Sequence, residues 1–453
     1  MNPVWLVLPD PFSSRLFFDT GIVADLRRRL GDRLELFLLD TSEHEAAWSE
    51  RAGDGRVTRP QDLRAPDERV PVKAFRRTDE WLDRRVGFYP LSLRQSLREG
   101  FNSGRMQPGH QNWFLDPELA GPLPLGAPLD PALMRWHYGR LRYVPPPLLR
   151  RLRSERPAVV LANIQMHAVV PFIVGARRVG VPLVGHVASW DHTIGKGIVS
   201  PHLRRYIVQN DVMRNDLVRY HGIDNDRIVV TGWPQTDVFH RKRPRAEYER
   251  VVRGLGLEPS RPVVLVMGNT PTNAPYEKRF VERLIAWWEE SGSVSRFSLL
   301  FRPHPRDREW RERFAAALFR EGAAVQEPSF TDLERLAVLL QYGDCVVTNA
   351  GTILLDSLVN DRPTVCVLYD EGAPPGESWA LKNVSGEHYR QLMASAAFYR
   401  AERFEDVVAG IERGLAEPDE LADERARAAR EVVGDVDGRA GERVVDAIVS
   451  AVD

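Results

Sequence analysis

Three places in the second half of the sequence combine residues that could hold a phosphate group. Residues 268–273, 302–305 and 348–352 each follow a short apolar run. Small residues let backbone N–H groups approach an anion, arginine and histidine add side-chain donors, and a helix N-terminus favours negative charge. The predicted phosphate- and nucleotide-binding residues are Gly268, Asn269, Thr270, Arg302, His304, Asn349, Ala350, Gly351, Thr352 and Asp356.

A fourth polar segment, residues 185–197, lies in the first half and has acid–base character. It combines two histidines, an aspartate, a lysine and glycines after another apolar run. An Asp–His pair can deprotonate a hydroxyl group, so Asp191 and His192 are predicted catalytic bases, with His167 as the next candidate. Trp190 could instead be a core residue and Lys196 a solvated one. The predicted acceptor-side residues are His186, Ser189, Trp190 and Lys196.

Metal ligands are poorly represented in the sequence. The two cysteines, Cys345 and Cys366, lie in apolar runs and are expected to be buried, reduced thiols. There is no Cys-x-x-Cys motif, and the histidines lack paired ligand spacing. Asp-x-Asp patterns occur at residues 224–226 and 435–437, where they are expected to lie in turns. We therefore predict no metal and no cofactor, with a nucleotide-activated donor as the substrate.

The elements that must position these residues alternate between short apolar runs and amphipathic helices. Such alternation predicts βαβ units and mostly parallel sheets, an α/β fold. The predicted strands are residues 4–8, 34–39, 158–162, 182–187, 205–208, 227–231, 263–267, 297–301, 345–348 and 364–368. The predicted helices are residues 17–30, 167–179, 212–221, 276–290, 307–321, 333–342, 352–359 and 440–452, with a charged helix after residue 416.

The length of 453 residues and the Pro- and Gly-containing segment 234–262 predict two domains. We place an N-terminal, acceptor-side Rossmann-like domain at residues 1–239, with an irregular insertion at about 52–150. A C-terminal, nucleotide-donor-binding Rossmann-like domain is predicted at 240–435. Residues 436–453 are predicted to form a helix that crosses back to the N-terminal domain.

The net charge and hydropathy of the sequence limit which kinds of partner and location are expected. The formal net charge is -1, which gives no overall attraction to nucleic acid. No apolar stretch approaches the roughly 18–20 residues that span a bilayer, and the N-terminus lacks the features of a signal peptide. We expect a cytoplasmic protein. In the insertion, arginines alternate with aromatic residues, a pattern that suits contact with the inner membrane face or with an acceptor. A purely solvated surface is the other interpretation of this pattern. The residues are Arg84, Arg85, Arg94, Arg98, Arg105, Trp81, Phe88, Tyr89 and Phe101.

These motifs resemble those of the GT-B glycosyltransferase superfamily, over roughly residues 155–450. Segment 182–239, which contains Val-Thr-Gly-Trp-Pro-Gln-Thr-Asp at 230–237, resembles the hydrolysing UDP-N-acetylglucosamine 2-epimerases and the CDP-glycerol glycerophosphotransferases. Segments 302–305 and 437–443 are more similar to the latter and to capsule polysaccharide transferases. The resemblance implies two Rossmann-like domains facing a central cleft.

Departures from the family motifs bear on the activity. The epimerases have a functional glutamate where this chain has Ala188, which argues against epimerisation. The glycerophosphotransferases carry Trp-His-Gly where this chain has Trp190, Asp191 and His192, and a serine pair where it has Gly351 and Thr352.

Three functions are compatible with these features. The leading interpretation is transfer of a sugar from a nucleotide-sugar to a hydroxyl of a glycan, lipid-linked or small-molecule acceptor, without a metal. The alternative is transfer of a polyol phosphate from a CDP-glycerol-type donor, as in teichoic-acid-like or capsule polymers. A third possibility is a non-catalytic GT-B protein that binds a glycan or a partner. Nucleic acid is not an expected partner.

Overall fold

The computed structural model describes residues 2–40, 44–63, 73–75, 77–78, 139, 142–195 and 199–453. These residues form two compact units. Unit 1 contains the described residues up to Asp237 together with Arg439–Asp453, and unit 2 extends from Val238 to Gly438. Most of the predicted insertion, including every arginine and aromatic residue named for it, lies outside the described residues, and so does Lys196.

The described part of unit 1 contains a seven-stranded parallel sheet in the order β3-β2-β1-β4-β5-β6-β7. Its strands are largely buried, as expected when helices cover both faces of a parallel sheet. The strand order reverses between β1 and β4. The strands are β1 (Val4–Leu8), β2 (Leu34–Leu38), β3 (Val57–Thr58), β4 (Ala158–Leu161), β5 (Leu183–His186), β6 (Arg205–Val208) and β7 (Ile228–Val230).

The helices of unit 1 alternate with these strands. They are α1 (Pro11–Asp19), α2 (Ile22–Leu30), α3 (Glu45–Ala52), α4 (Pro146–Glu155), α5 (Val170–Val179), α6 (His192–Gly195) and α7 (Asp211–His221), followed by α8 (Gln235–His240) at the passage into unit 2.

Unit 2 contains a six-stranded parallel sheet in the order β10-β9-β8-β11-β12-β13. The order reverses between β8 and β11. Alternate residues of β8 enter two separate core clusters, because successive side chains of a strand point to opposite faces. The strands are β8 (Val263–Met267), β9 (Ser298–Arg302), β10 (Ala323–Val325), β11 (Cys345–Thr348), β12 (Thr364–Val367) and β13 (Tyr399–Ala401).

The helices of unit 2 cover this sheet. They are α9 (Arg245–Gly254), α10 (Glu277–Glu290), α11 (Trp310–Arg313), α12 (Leu333–Tyr342), α13 (Ile353–Val359), α14 (Trp379–Val384), α15 (Arg390–Ala394), α16 (Phe404–Ala416) and α17 (Ala422–Ala428).

The last helix, α18 (Ala440–Val452), belongs to unit 1. Its buried face, which includes Val444 and Ile448, joins the same core cluster as Ile22 and Leu26 of α2. The side chain of Arg443 donates to the carbonyl of Thr231 at 2.6 Å. The end of the chain is therefore packed into the unit that contains its beginning.

Two predicted helices are wrong in extent. Residues 17–30 form parts of α1 and α2 because Gly21 has a positive φ of 80° and interrupts the helix. Residues 307–321 contain only α11 and a short 3-10 turn, Ala315–Ala317. Phe319 has a φ of 61°, a left-handed conformation that an α-helix cannot contain.

Both cysteines are buried in neighbouring strands, Cys345 in β11 and Cys366 in β12. Their burial raises the pKa of each thiol to about 12. Among the described residues, no helix combines the length and apolar character needed to cross a membrane.

Candidate functional site

A pocket in unit 2 opens at the carboxyl ends of β8, β11 and β12. Because the strand order reverses between β8 and β11, this is the crevice in which open parallel sheets bind ligands. The hydroxyl of Thr348 donates to the carbonyl of Met267 at 3.2 Å and joins the two strands there. The pocket is lined by Val266, Met267, Asn273, Ala274, Tyr276, Glu277, Phe280, Val347, Thr348, Asn349, Val367, Tyr369, Asp370, Glu371 and Ala380.

The loop after β8 begins with a glycine that has no room for a side chain. A Cβ atom on Gly268 would lie 2.7 Å from Cζ of Phe314 and 3.2 Å from Oε2 of Glu277. The next residue, Asn269, donates its backbone N–H to Oε1 of Glu277 at 2.9 Å, and its Oδ1 accepts the N–H of Thr270 at 2.9 Å. The predicted residues of this loop therefore form a tight turn against the first residue of α10.

Glu277 was not predicted from the sequence, although it lines the pocket. Its burial raises the pKa of the carboxyl to about 7, opposed by the charge of Arg313 and by the N–H of Asn269. The ion pair between Glu277 and Arg313 has an N–O distance of 2.8 Å. An acidic residue in the first turn of a helix is common, so its position in the sequence gave no sign of a site.

Arg302, at the end of β9, is engaged in a bidentate ion pair. Its two terminal nitrogens contact the two carboxylate oxygens of Asp332, both at 2.8 Å, and Gln326 donates to the same carboxylate at 2.7 Å. Arg302 and Asp332 are both largely buried. The predicted contact between Arg302 and a phosphate would need this pair to open, or would use the remaining Nε.

His304 is held by its own turn. Its carbonyl accepts the N–H of Asp307 at 2.8 Å, and its Nδ1 accepts the N–H of Arg306 at 3.0 Å. Because Nδ1 is an acceptor, Nε2 carries the proton in the neutral ring. The imidazole is partly buried, and the turn fixes the orientation of its ring.

Asn349, after β11, is the predicted nucleotide-binding residue that lines the pocket. Its amide nitrogen donates to the carbonyls of Val367 (2.7 Å) and Ala380 (3.0 Å). Its Oδ1 accepts the side chain of Asn383 at 2.8 Å, and Asn383 also donates to the carbonyl of Asn273 at 2.7 Å. The amides thus connect the loops after β8 and β11 with α14.

The remaining predicted residues after β11 have different surroundings. Gly351 has a φ of 95°, which favours glycine, and donates its N–H to the hydroxyl of Tyr389 at 2.7 Å. Thr352 precedes α13 without a side-chain capping bond. Ala350 and Asp356 are buried. Backbone groups rather than the Asp356 carboxylate are therefore near the loop surface.

In unit 1, the strand order reverses between β1 and β4, and Asp10 and Asn163 follow these two strands. The amide of Asn163 donates to Asp10 at 3.4 Å. Asp10 also caps α1, accepting the N–H of Ser13 at 3.0 Å and its hydroxyl at 2.6 Å. This buried polar group was not predicted, although Asp10 followed by Pro11 is a helix-start signal.

His186, at the end of β5, is completely buried. Its Nδ1 lies 3.1 Å from the carbonyl of Ala162, and its ring contacts Phe17 edge-on at 5.5 Å between centroids. Burial lowers the pKa of the imidazole to about 4, so it is neutral at physiological pH. In this structure the ring lies inside the unit, where an acceptor substrate would not reach it.

The predicted bases lie in one turn after β5. Ser189 donates its hydroxyl to the carboxylate of Asp191, and the N–H of His192 bonds the carbonyl of Ser189 at 3.0 Å. Asp191 and His192 are partly buried, whereas Trp190 is only 7% exposed and fits the core alternative. His167 lies in a separate 3-10 turn, His167–Val169, after β4.

This turn is anchored by a histidine that the sequence did not single out. Nδ1 of His221 accepts the N–H of Val199 at 3.1 Å, and its Nε2 lies 2.7 Å from the carbonyl of Thr193. Thr193 also donates its hydroxyl to Asp216 at 2.7 Å. Helix α7 therefore holds the chain on both sides of the Lys196 segment.

Comparison with known families now connects these sites to a class of protein. Residues 201–450, more than half of the chain, match the profile of the CDP-Glycerol:Poly(glycerophosphate) glycerophosphotransferase family. The chain belongs to this family. All ten predicted nucleotide-binding residues of this glycerophosphotransferase-family protein lie within the match, whereas Asp191 and His192 precede it. No curated protein sequence matches the chain.

Solved structures of the same fold include UDP-GlcNAc 2-epimerases. The enzyme from Neisseria meningitidis, bound to UDP-GlcNAc, has a TM-score of 0.57 at 8% identity, covering 99% of this chain and 100% of its own. The enzyme from Methanocaldococcus jannaschii has a TM-score of 0.56 at 11% identity, with the same coverage. The MnaA–UDP structure from S. aureus has a TM-score of 0.55 at 12% identity, covering 99% and 96%.

These findings confirm the predicted fold and resemblance. The chain has two Rossmann-like units of the GT-B kind, and its family is one of transferases. At identities of 8–12%, the epimerase structures show the fold alone.

Proposed function

We propose that this protein transfers a polyol phosphate from a CDP-linked donor to a hydroxyl acceptor in the synthesis of a teichoic-acid-like or capsule polymer. The observation that carries the proposal is the family match over residues 201–450. This span includes the whole pocket at the β8–β11 crossover of unit 2. The proposal replaces sugar transfer, the leading interpretation from the sequence, with its alternative.

In this reaction, an acceptor hydroxyl oxygen forms a bond to the phosphorus that carries the polyol. The bond between that phosphorus and the bridging oxygen of the diphosphate breaks, and CMP leaves with the electron pair. The hydroxyl proton passes to a base, for which Asp191 and His192 are the candidates. Hydrogen-bond donors of the protein near the bridging oxygen would stabilise the negative charge on the leaving phosphate.

The donor nucleotide would bind to unit 2. The aromatic and apolar residues of the pocket suit the nucleoside, whereas its carboxylates, Glu277 and Asp370, would repel phosphates. His304 Nε2–H and the backbone around Gly351 are the proposed phosphate contacts. They lie on the loops after β9 and β11, the two strands that flank β8. No cofactor is part of the proposal.

Sugar transfer from a nucleotide-sugar is the second candidate. It is favoured by the departures from the family motifs, namely Asp191 and His192 in place of His-Gly and Gly351-Thr352 in place of two serines. These swaps retain a base and phosphate-binding groups but change their arrangement.

Product release distinguishes the candidates. The protein is incubated with CDP-glycerol or UDP-GlcNAc and a panel of hydroxyl acceptors, including glycans and lipid-linked sugars. Acceptor-dependent release of CMP is the expected result. Acceptor-dependent release of UDP without CMP would establish sugar transfer instead. Binding of either donor without any product would support the non-catalytic alternative.

The donor site has its own test. His304→Ala and Thr352→Val each remove one polar contact and should weaken CDP binding by about 1–3 kcal/mol. Calorimetry measures the affinity, and circular dichroism checks that the fold is intact. Unchanged affinity in both variants would exclude these residues as phosphate contacts. Ser329→Ala, which alters an exposed loop hydroxyl of the same unit, is the control.

A further inference from the structure

Arg313, the last residue of α11, is a buried arginine with partners on two different loops. It is 6% exposed. Its guanidinium donates to the carbonyls of Asn269 and Ala274, both at 2.9 Å. It also pairs with the carboxylates of Glu277, at 2.8 Å, and Asp307.

These partners belong to the loops that contain proposed donor contacts. Asn269 and Ala274 lie in the turn after β8, and Glu277 and Ala274 line the pocket. Asp307 closes the turn after β9, because its N–H bonds the carbonyl of His304 at 2.8 Å. A single side chain therefore connects the pocket wall with the turn that orients His304.

We propose that Arg313 is a positioning residue for donor binding, which sets the distance between the turns at residues 269–274 and 304–309. The inference rests on the proposed function, since it assumes that these turns hold the donor nucleotide. Arg313 does not itself need to contact the ligand. Both terminal nitrogens of its guanidinium already donate to acceptors within the protein.

The geometry of the guanidinium is what the role requires. Its planar fork directs donors toward several acceptors at once, whereas a lysine ammonium is a single point charge. Lysine at position 313 would keep a positive charge beside Glu277 and Asp307 but could not hold both turns. Alanine would leave the buried carboxylate of Asp307 and the partly buried carboxylate of Glu277 without their cation, and such a variant could fail to fold.

Arg425 offers a matched control in the same unit. It is 1% exposed, pairs with Asp361 at 2.7 Å and donates to the carbonyl of Pro418 at 2.8 Å. None of these partners belongs to the two turns. Arg425→Lys should therefore lower Tm by an amount comparable to Arg313→Lys while leaving the donor site unchanged.

The test compares Arg313→Lys, Arg425→Lys and the natural protein by calorimetry with CDP and by backbone amide hydrogen exchange without nucleotide. We expect CDP affinity to fall about 10- to 100-fold in Arg313→Lys and to change less than about twofold in Arg425→Lys. Amide protection should fall in residues 268–274 and 303–309 only for Arg313→Lys.

The outcomes separate the inference from the proposed function. If the natural protein does not bind CDP, the proposed function fails, and unchanged amide protection in Arg313→Lys would then also overturn the positioning role. If the natural protein binds CDP and Arg313→Lys binds it equally well, the inference alone is overturned. Equal losses of affinity in both lysine variants would likewise overturn it, because they would reflect general destabilisation.

Discussion

Asp237 accepts the backbone N–H of Gly441 through Oδ2 at 2.7 Å, 204 residues further along the chain. Its other oxygen accepts the N–H of Ala440 at 3.0 Å. One carboxylate therefore caps the first turn of α18. The segments that contain these residues, 230–237 and 437–443, were singled out separately in the sequence, and the structure shows that they contact each other directly.

Removing the Asp237 carboxylate should reduce the stability of the protein. Asp237→Ala leaves two N–H groups of α18 without an acceptor and should lower the free energy of unfolding by about 1–2 kcal/mol. Urea unfolding of the full chain measures the change. Asp211→Ala, at an exposed pair with Arg214, is the control and should change stability by less than about 0.5 kcal/mol. Equal effects of the two substitutions would mean that the cap contributes nothing specific.

The proposed bases can be tested by turnover. Asp191→Asn and His192→Ala should reduce the rate by roughly 10²–10⁴-fold if either residue is the general base. Donor affinity should be nearly unchanged, since the proposed donor contacts lie in the other unit. Rate measurements at saturating donor separate the two effects. If both variants turn over at the rate of the natural protein, neither residue is the general base. His167 then becomes the candidate, and His167→Ala is the next variant to measure.

Glu277 should make stability depend on pH in an unusual direction. Burial raises the pKa of its carboxyl from 4.5 to about 7, so the folded state binds a proton that the unfolded state releases between these values. This bound proton contributes at most about 3 kcal/mol to the free energy of unfolding. The contribution is fully present below pH 4.5 and is lost as the pH rises through 7.

Comparison with Glu277→Gln isolates this contribution from the other titrating groups. The difference in unfolding free energy between the natural protein and the variant, measured in urea at pH 5 and pH 8, should favour the natural protein more at pH 5. A difference that is constant across this range, or that has the opposite sign, would contradict the raised pKa.

We predict that catalysis does not depend on a divalent metal. Asp224 and Asp226 lie at the amino end of β7, around the turn Asn225–Arg227, and ligands of a parallel sheet bind at its carboxyl end. Asp435 and Asp437 lie in the break before α18. Activity should fall less than about tenfold in excess EDTA, or about 1.4 kcal/mol. Complete loss that Mg²⁺ or Mn²⁺ restores would overturn this prediction.

The sequence predicts ten of the thirteen strands among the described residues, because each of the ten is a short apolar run bounded by polar residues. The other three, β3, β10 and β13, have only two or three residues each and were not predicted. β1, β6, β8 and β11 begin and end at the predicted residues. Helix ends were harder to predict. The break at Gly21 depends on a backbone conformation that a single glycine in the sequence does not predict. The predicted helix 307–321 cannot continue through Phe319, which also has a positive φ.

The candidate site was predicted only in part, because its organisation depends on long-range pairs. The loops after the strands could be located from strand position alone. Strand position does not show that Arg302 pairs with Asp332, 30 residues away. It also does not show that Arg313 connects two loops. Glu277 and Asp370 become pocket residues only when β8, β11 and β12 are placed side by side.

The burial of Cys345 and Cys366 makes the natural chain suitable for site-specific labelling. The thiolate is the form that maleimides attack, and a thiol with a pKa of about 12 that is shielded from solvent reacts very slowly at neutral pH. A cysteine introduced at Val212 of unit 1 or Leu381 of unit 2, which are 42% and 49% exposed, would therefore take up a dye selectively. With both positions labelled, fluorescence energy transfer could follow the distance between the two units in solution as nucleotide is added.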